Sequence, residues 1–480
     1  MKKTMLLVAL AAVWASGCGD DEDTGCEVGK ADACEDGLVC EEVSGEGGGG
    51  RCFPETAITG RVLNATSTAG VAGARVVALD ATTNAPAAST VTTDAQGAFR
   101  IPVRFARSTE EASDVKSASF TLRVEAEGFQ GFPSPIRQAV PLTVNRADDP
   151  AAVPVNQRDV ALLPLANVDV ATLGSIAGRV AEGTAGQGGV LVVAEPASGS
   201  SGLSATSTVT DPSGAYVLLN LRAGTYDVRA YVQGKGFAPA SGVAVAAAED
   251  KANVNLSSDA SGLTTLNGGV NIVNAPAGTN ETSVVLALAS TGEVPRGLSL
   301  QTSGQRFSIT GIPAGTYDIL ASYTNDNLVL DPDPQQLPRP IRITLPTDAP
   351  GGTLDVGTFK VTGDVAIQSP GRNDAPGEPA VSATGLTFRW EDDSSESFYG
   401  LELFDAYGAR IWGSEPSTTV RPVVEVASNT SQRAYDGPAL TAGQTYQWRV
   451  TSYKCNTNTC TTFKPISRSE NLRGIFTVAP

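Results

Sequence analysis

The 480-residue sequence contains no histidine. That removes Ser-His-Asp triads, imidazole general bases and imidazole metal ligands from consideration. Methionine and tryptophan are scarce, at two and four residues, and aromatics make up only 6% of the chain. Basic residues are also few: 34 Lys and Arg stand against 51 Asp and Glu, a formal net charge of −17. Phosphate recognition needs a positive field, so this balance excludes nucleic acid and anionic lipid headgroups as main partners. The apolar run Met5–Trp14 would make about 15 Å of helix, half of a bilayer core, and is too short to span one. Beyond it, apolar residues never recur at helical spacing. What the chain has in quantity is turn chemistry. Its 51 Gly and 29 Pro amount to one residue in six, without a three-residue period. That composition suits short strands joined by turns, and the length suits several domains.

Lys2 and Lys3 precede the apolar run and small residues follow it, the order of a secretory signal. The segment Ala15-Ser16-Gly17-Cys18 resembles the lipobox of bacterial lipoproteins, with Ala15 where that family most often carries Leu. The resemblance implies removal of residues 1–17 and acylation of Cys18. Several buried acyl chains, at roughly 0.8 kcal/mol per methylene, make release from a membrane very slow. A lipid-anchored location in the cell envelope, at the outer membrane or cell surface, is therefore expected. Gly19 is followed by four acids, Asp20-Asp21-Glu22-Asp23, which read as a solvated tether. Acids at this place also resemble the surface-export signal of some lipoproteins, and Gly19 disfavours inner-membrane retention under that family's sorting rule.

With Cys18 assigned to lipid, six cysteines remain: Cys26, Cys34, Cys40, Cys52, Cys455 and Cys460. An even number fits disulfides in an oxidising compartment. The first four are separated by 8, 6 and 12 residues, with no C-x2-C pair to hold zinc. A module of residues 26–52 cannot bury a core unaided, so disulfides must hold it. Three connectivities are open to four cysteines; resemblance to small disulfide-knot modules implies 26–40 and 34–52.

Three segments share a template. The first has Ile58-Thr59-Gly60-Arg61-Val62 and then Thr93-Asp94-Ala95-Gln96-Gly97-Ala98-Phe99. The second has Ile176-Ala177-Gly178-Arg179-Val180 and Thr210-Asp211-Pro212-Ser213-Gly214-Ala215-Tyr216, and the third has Leu266-Asn267-Gly268-Gly269-Val270 and Thr302-Ser303-Gly304-Gln305-Arg306-Phe307. From first glycine to second the separations are 37, 36 and 36 residues. The second and third also share a closing motif, Ala223-Gly224-Thr225-Tyr226-Asp227-Val228 against Ala314-Gly315-Thr316-Tyr317-Asp318-Ile319. The first repeat carries a charged insertion at 107–117 at this point. Tyr226, Val228 and Ala230 alternate with Asp227 and Arg229, the pattern of a sheet with one face on a core and one in water. Asp-x-x-Gly marks a tight turn, after which an aromatic re-enters the core.

This template resembles the carboxypeptidase regulatory-like domain, a transthyretin-like (prealbumin-like) sandwich related to the B-type repeats of collagen adhesins. It implies non-catalytic spacer or binding modules, and some schemes group the family with carbohydrate-binding-like folds. The adhesins' Lys–Asn isopeptide bond is not expected, because the first strands carry Arg61, Arg179 and Gly269. Residues 362–480 differ. They hold Trp390, Trp412 and Trp448 and alternate through Leu386–Trp390, Tyr399–Asp405 and Tyr446–Val450. This part resembles a fibronectin type III domain, which implies Trp390 as the core Trp and Tyr446 in a tyrosine corner. The inserted stretches 413–434 and 454–472 depart from a minimal domain.

No catalytic constellation is expected. A nucleophilic Ser would need a Lys base, and no S-x-x-K stands beside a partner motif. The acid pairs Asp392/Asp393, Asp331/Asp333 and Asp148/Asp149 read as solvated loops and lack the D-x-D-x-D-G spacing of a calcium loop. No metal and no cofactor are called for. Trp412 is the one aromatic singled out as a candidate for an exposed, ligand-contacting face, with core packing as the alternative. Cys455-Asn456-Thr457-Asn458-Thr459-Cys460 would hold polar side chains such as Asn456 and Asn458 on a stapled tip, which lowers the entropic cost of binding.

The reading is an all-β chain of tandem β-sandwiches. Its parts are a signal peptide (1–17); anchor, tether and Cys-rich module (18–55); three regulatory-like sandwiches (56–166, 172–258, 262–361); and a fibronectin-like domain (362–480). It points to a non-enzymatic, membrane-anchored stalk for adhesion or envelope scaffolding, with an unidentified protein or polysaccharide ligand. A polysaccharide-binding protein and an accessory or inhibitor of a secreted peptidase are the alternatives.

Overall fold

The structure, a computed structural model, describes residues 25–28, 33–35, 37–133, 139, 141–148, 156–165, 168–200, 202–259, 262–273, 282–302, 306–321, 328–330, 341–345, 352–371, 379–405, 410–414, 416–470 and 473–479. The signal, Cys18 and the acidic tether lie outside the described residues, as do Asp149, Asp331 and Asp333. Among the described residues there is no α-helix; apart from two single 3-10 turns, Glu111–Ser113 and Val170–Thr172, strands joined by turns and loops make up the chain.

The chain forms two compact units. One comprises residues 1–56, 104–117 and 145–155. Its centre is an antiparallel pair, Leu38–Ser44 with Gly49–Pro54, in which Cys40 sits opposite Cys52. Disulfides join Cys26 to Cys40 and Cys34 to Cys52. The insertion in the first repeat supplies a third strand, Arg107–Ser108, parallel to Val43 and Ser44.

The other unit holds the repeats and the carboxyl-terminal part. Each repeat contributes two sheets. In the second, Gly174–Glu182 pairs antiparallel with Ala215–Leu221 and parallel with Asp250–Lys251 and Leu256–Ser257. The facing sheet has the order Thr206–Val209, Leu191–Pro196, Gly224–Tyr231, Ala240–Val245. Ile176, Val180, Tyr216 and Leu218 from one sheet meet Val190, Val192, Val228 and Ala230 from the other in one core. The third repeat repeats this plan, with Thr264–Val273 between Arg306–Ile312 and Thr353–Gly363 in one sheet, and Thr282–Leu288 beside Gly315–Ala321 in the other.

The template residues have identifiable work. A Cβ on Gly178 would lie 1.9 Å from the carbonyl oxygen of Val254 on the returning segment, and one on Gly60 would lie 2.0 Å from that of Arg158. The first glycine is therefore demanded by close backbone approach rather than by a turn. Asp94 Oδ1 accepts from the amides of Gln96 and Ala98, and Asp211 Oδ1 from those of Ser213 and Ala215. The Tyr226 and Tyr317 hydroxyls donate to the carbonyls four residues upstream, Arg222 and Pro313. Phe99, Tyr216, Tyr226, Phe307 and Tyr317 are all buried.

The strand Leu191–Pro196 does not place one face in water: Val190, Val192 and Ala194 face their own core, while Leu191, Val193, Val209 and Tyr231 join the core of the third sandwich with Val284, Leu286 and Tyr317. Stacking of the second sandwich against the third buries both faces, and the unbroken apolar run Val190–Ala194 answers to that double burial.

In the carboxyl-terminal part, a three-stranded sheet (Ile367–Ser369, Thr387–Trp390, Gln432–Ala434) accompanies a larger one centred on Phe398–Asp405 and Thr445–Cys455. Trp390 and Trp448 are fully buried. The Thr441 amide donates to the Tyr446 hydroxyl at 2.9 Å.

Candidate functional site

The densest polar constellation lies where the three sandwiches meet. Arg123 sits on the strand Ser117–Glu125 of the first sandwich. Its Nε donates to Glu125 Oε1 (2.5 Å), and its Nη atoms donate to Glu293 Oε2 (3.0 Å) and Oε1 (3.3 Å) of the third. The same Nη2 reaches the Ser207 carbonyl (3.0 Å) and Oγ (3.2 Å) of the second. Thr208 Oγ1 donates to Glu125 Oε2 at 2.7 Å and Ser207 Oγ to Glu293 Oε1 at 2.7 Å. The Arg123 side chain is only 9% exposed. Burial disfavours its charge, but Glu293 and Glu125 outweigh that and raise its pKa further. One guanidinium thus fixes three sandwiches by charge-assisted bonds.

Other side chains reinforce the same junctions. Asn220, held at φ 64°, accepts from the Gly128 amide and donates to the carbonyls of Ala126 and Phe129. Asparagine tolerates this backbone region better than most residues. Gln233 Nε2 donates to the Thr310 carbonyl, and the Gly234 amide to that of Gly311. Tyr231 meets Tyr317 edge-on at 6.3 Å between centroids.

The disulfide unit has its own ion cluster. Arg107 Nε donates to Glu41 Oε2 at 2.6 Å, both side chains nearly fully buried, and its guanidinium stacks 3.8 Å above the Phe53 ring. Arg146 bonds Asp148 and Asp114 at 2.6 and 3.1 Å. Burial would raise the Asp114 pKa, yet the hydrogen bonds from Ser108 and Arg146 and the Arg146 charge hold it below the usual carboxylate value. Asp148, expected in a solvated loop, is tied to Arg107 and Arg146.

The residues singled out from the sequence scatter. Cys455 and Cys460 form a disulfide, and Asn456 and Asn458 are exposed at its tip. Trp412 is corrected: it is 8% exposed, donates its indole N–H to Asp436 at 3.0 Å, and packs among Phe388 and Tyr435. It offers no face to a ligand, because its strand, Arg410–Gly413, turns it onto the core. Asp392 and Asp393 lie in a loop, the first exposed and the second half-buried; the Tyr399 hydroxyl donates to Asp392 Oδ1 and Ser452 Oγ to Asp393 Oδ2. Among the described residues, the one grouping of three potential metal-ligating atoms is Cys26, Cys34 and Cys40, all of them in disulfides. The Arg123 junction was not visible beforehand, since its members lie up to 170 residues apart.

These features define an all-β chain of stacked sandwiches with buried ionic junctions. No protein-family model matches the chain, and no curated protein matches it. Solved structures that align with it include the Bacillus anthracis TIE protein, 10% identical over 68% of this chain and 57% of that one, with a TM-score of 0.15. A streptococcal ancillary pilin aligns at 11% identity over 64% of this chain and 98% of its own, TM-score 0.17. The minor pilin GBS52 of Streptococcus agalactiae aligns at 14% identity over 42% and 99%, TM-score 0.18. The fold assignment rests on the strand pairing itself.

Proposed function

We propose that the chain is a non-enzymatic, lipid-anchored envelope protein whose sandwiches form a stalk for cell-surface adhesion or scaffolding. The observation that carries this reading is the Arg123 junction. A single buried guanidinium bonded to all three sandwiches suits a part that must keep its modules in fixed register, whereas independent binding modules need no such lock. The carboxyl-terminal part is read as fibronectin-like, supported by the buried Trp390 and the Tyr446 hydroxyl bonded to the Thr441 amide. Three disulfides support an oxidising, extracytoplasmic location.

Fractionation of cells expressing wild type and Cys18→Ser tests the anchor. Wild type is expected with membranes and the variant in the soluble extract; identical fractionation of the two defeats the reading. Protease applied to intact cells then separates an outward-facing stalk from a periplasmic one.

A further inference from the structure

The third repeat departs from the other two on the outer face of its first sheet, where Gly269 replaces the arginine at 61 and 179. In the second sandwich Gly178 pairs with Tyr216 and Arg179 with Ala215; in the third Gly268 pairs with Phe307 and Gly269 with Arg306. Gly269 therefore occupies the place of Arg179, and Arg306 that of Ala215. Arg179 lies across its sheet to the Ser213 carbonyl at 2.9 Å, and Arg61 reaches the Gln96 carbonyl in the same way in the first sandwich. In the third sandwich position 269 carries no side chain, and the arginine of this pair stands on the neighbouring strand at Arg306 instead.

The surroundings turn that gap into a cleft. Leu266, Val270, Phe307 and Ile309 are buried in the core, so alternation puts Asn267, Gly269, Asn271, Arg306 and Ser308 on the outer face. On the other flank Asn267 pairs with Asp355 and Gly269 with Thr358, and a bulge at Val356 and Gly357 (φ 73°) spreads the strands. The result is a cleft of about 630 Å³, within the size range of ligand sites. Asp355 Oδ1 is oriented by the Gly357 amide at 2.8 Å. Among the described residues, Asn267, Asn271, Ser308 and Thr358 line the cleft with no side-chain hydrogen bond of their own.

We propose that this cleft binds a neutral oligosaccharide. Two carboxamides and two hydroxyls each donate and accept, the complement of a ligand dense in hydroxyl groups. Asp355 opposes an anion and Arg306 a cation. An apolar ligand would strip water from four amide and hydroxyl groups without replacing it. A peptide strand could not be added to Thr264–Val273, which is already paired on both sides. The inference goes beyond the stalk reading and does not rest on it.

The test is calorimetric titration of the full chain with cellotetraose, chitotetraose and mannotetraose as neutral probes and tetragalacturonate as the anionic one. At least one neutral probe is expected to bind. Gly269→Arg, which restores the residue of the other two repeats, should weaken it at least about 10-fold, and Asn271→Ala by a comparable factor, with unchanged melting temperatures. Should Gly269→Arg fail to fold, the exposed Asn271→Ala carries the test. Binding unaffected by both substitutions, preference for tetragalacturonate, or no neutral probe bound at about 5 mM each overturns the proposal.

Discussion

Replacing Arg123 by alanine removes five donated hydrogen bonds and leaves Glu125 in place with Thr208 as its remaining partner. The Glu125 side chain is 12% exposed and that of Glu293 30%, so Glu125 bears most of the penalty while Glu293 can hydrate. Breaking a buried pair by removing one partner costs about 3–5 kcal/mol, a factor of about a hundred to several thousand in the unfolding equilibrium of the sandwiches. Arg123→Met combined with Glu125→Leu removes the charge as well as its partner, and should recover most of that loss. Urea denaturation followed by far-UV circular dichroism reads the effect, and the molecule supplies an internal control. Apart from Trp14 all tryptophans lie at 390, 412 and 448, so in protein prepared without residues 1–17 tryptophan fluorescence reports the carboxyl-terminal part alone and its midpoint should stay put. A loss below about 1 kcal/mol for Arg123→Ala, or a double variant no better than the single one, refutes the view that this junction is a desolvated lock.

Gly178→Ala should destabilise the second sandwich by about 1–3 kcal/mol through overpacking, since its Cβ would lie 1.9 Å from a backbone oxygen; thermal melting checks it, and a neutral result removes the close-approach account of the repeated glycine. Trp412→Ala should cost about 3–5 kcal/mol in the carboxyl-terminal part, seen as an earlier fluorescence transition from Trp390 and Trp448, whereas an exposed Trp would cost almost nothing. Asp114, whose pKa is lowered by Ser108 and Arg146, contributes stability that is fully present above its unfolded value near 3.8 and is lost as pH falls through the lower folded value. The protection factors of the amides in Leu38–Ser44, exchange rates corrected for their intrinsic pH dependence, should therefore hold steady from neutral pH down to about pH 4 and fall below it, and Asp114→Asn should weaken that dependence.

The fold class was legible because it rests on local signals: Asp-x-x-Gly turns, period-two alternation around Tyr226 and Tyr317, and the 36-residue spacing of glycines. What those signals meant was less so. Gly60 and Gly178 look like turn residues, but the returning segment that forbids a side chain there is nearly eighty residues further on in the second repeat, and nothing local announces it. The charged insertion at 107–117 was visible as a departure from the template, yet its partner, Glu41, is 66 residues upstream. Trp412 stayed open between surface and core for a related reason. Its neighbours Arg410 and Gly413 look like a surface strand, while the bond to Asp436 that turns the ring inward lies 24 residues away.

The run Val190–Ala194 shows where the deeper information was. A sandwich that stands alone buries alternate residues, so five consecutive apolar positions are either an aggregation hazard or a second interface. The chain resolves this by laying the third sandwich over that sheet, giving Leu191, Val193 and Tyr231 to its core. Alternation resumes at Gly224–Tyr231, where Asp227 and Arg229 stay part-exposed between buried Tyr226, Val228 and Ala230. Breaks in alternation at the template level therefore mark the junctions between repeats, and the polar residues at those junctions, Ser207, Glu293 and Arg123, add directional bonds to what non-directional packing leaves loose. Hydrophobic burial holds the second and third sandwiches together; the guanidinium sets the angle at which the first joins them.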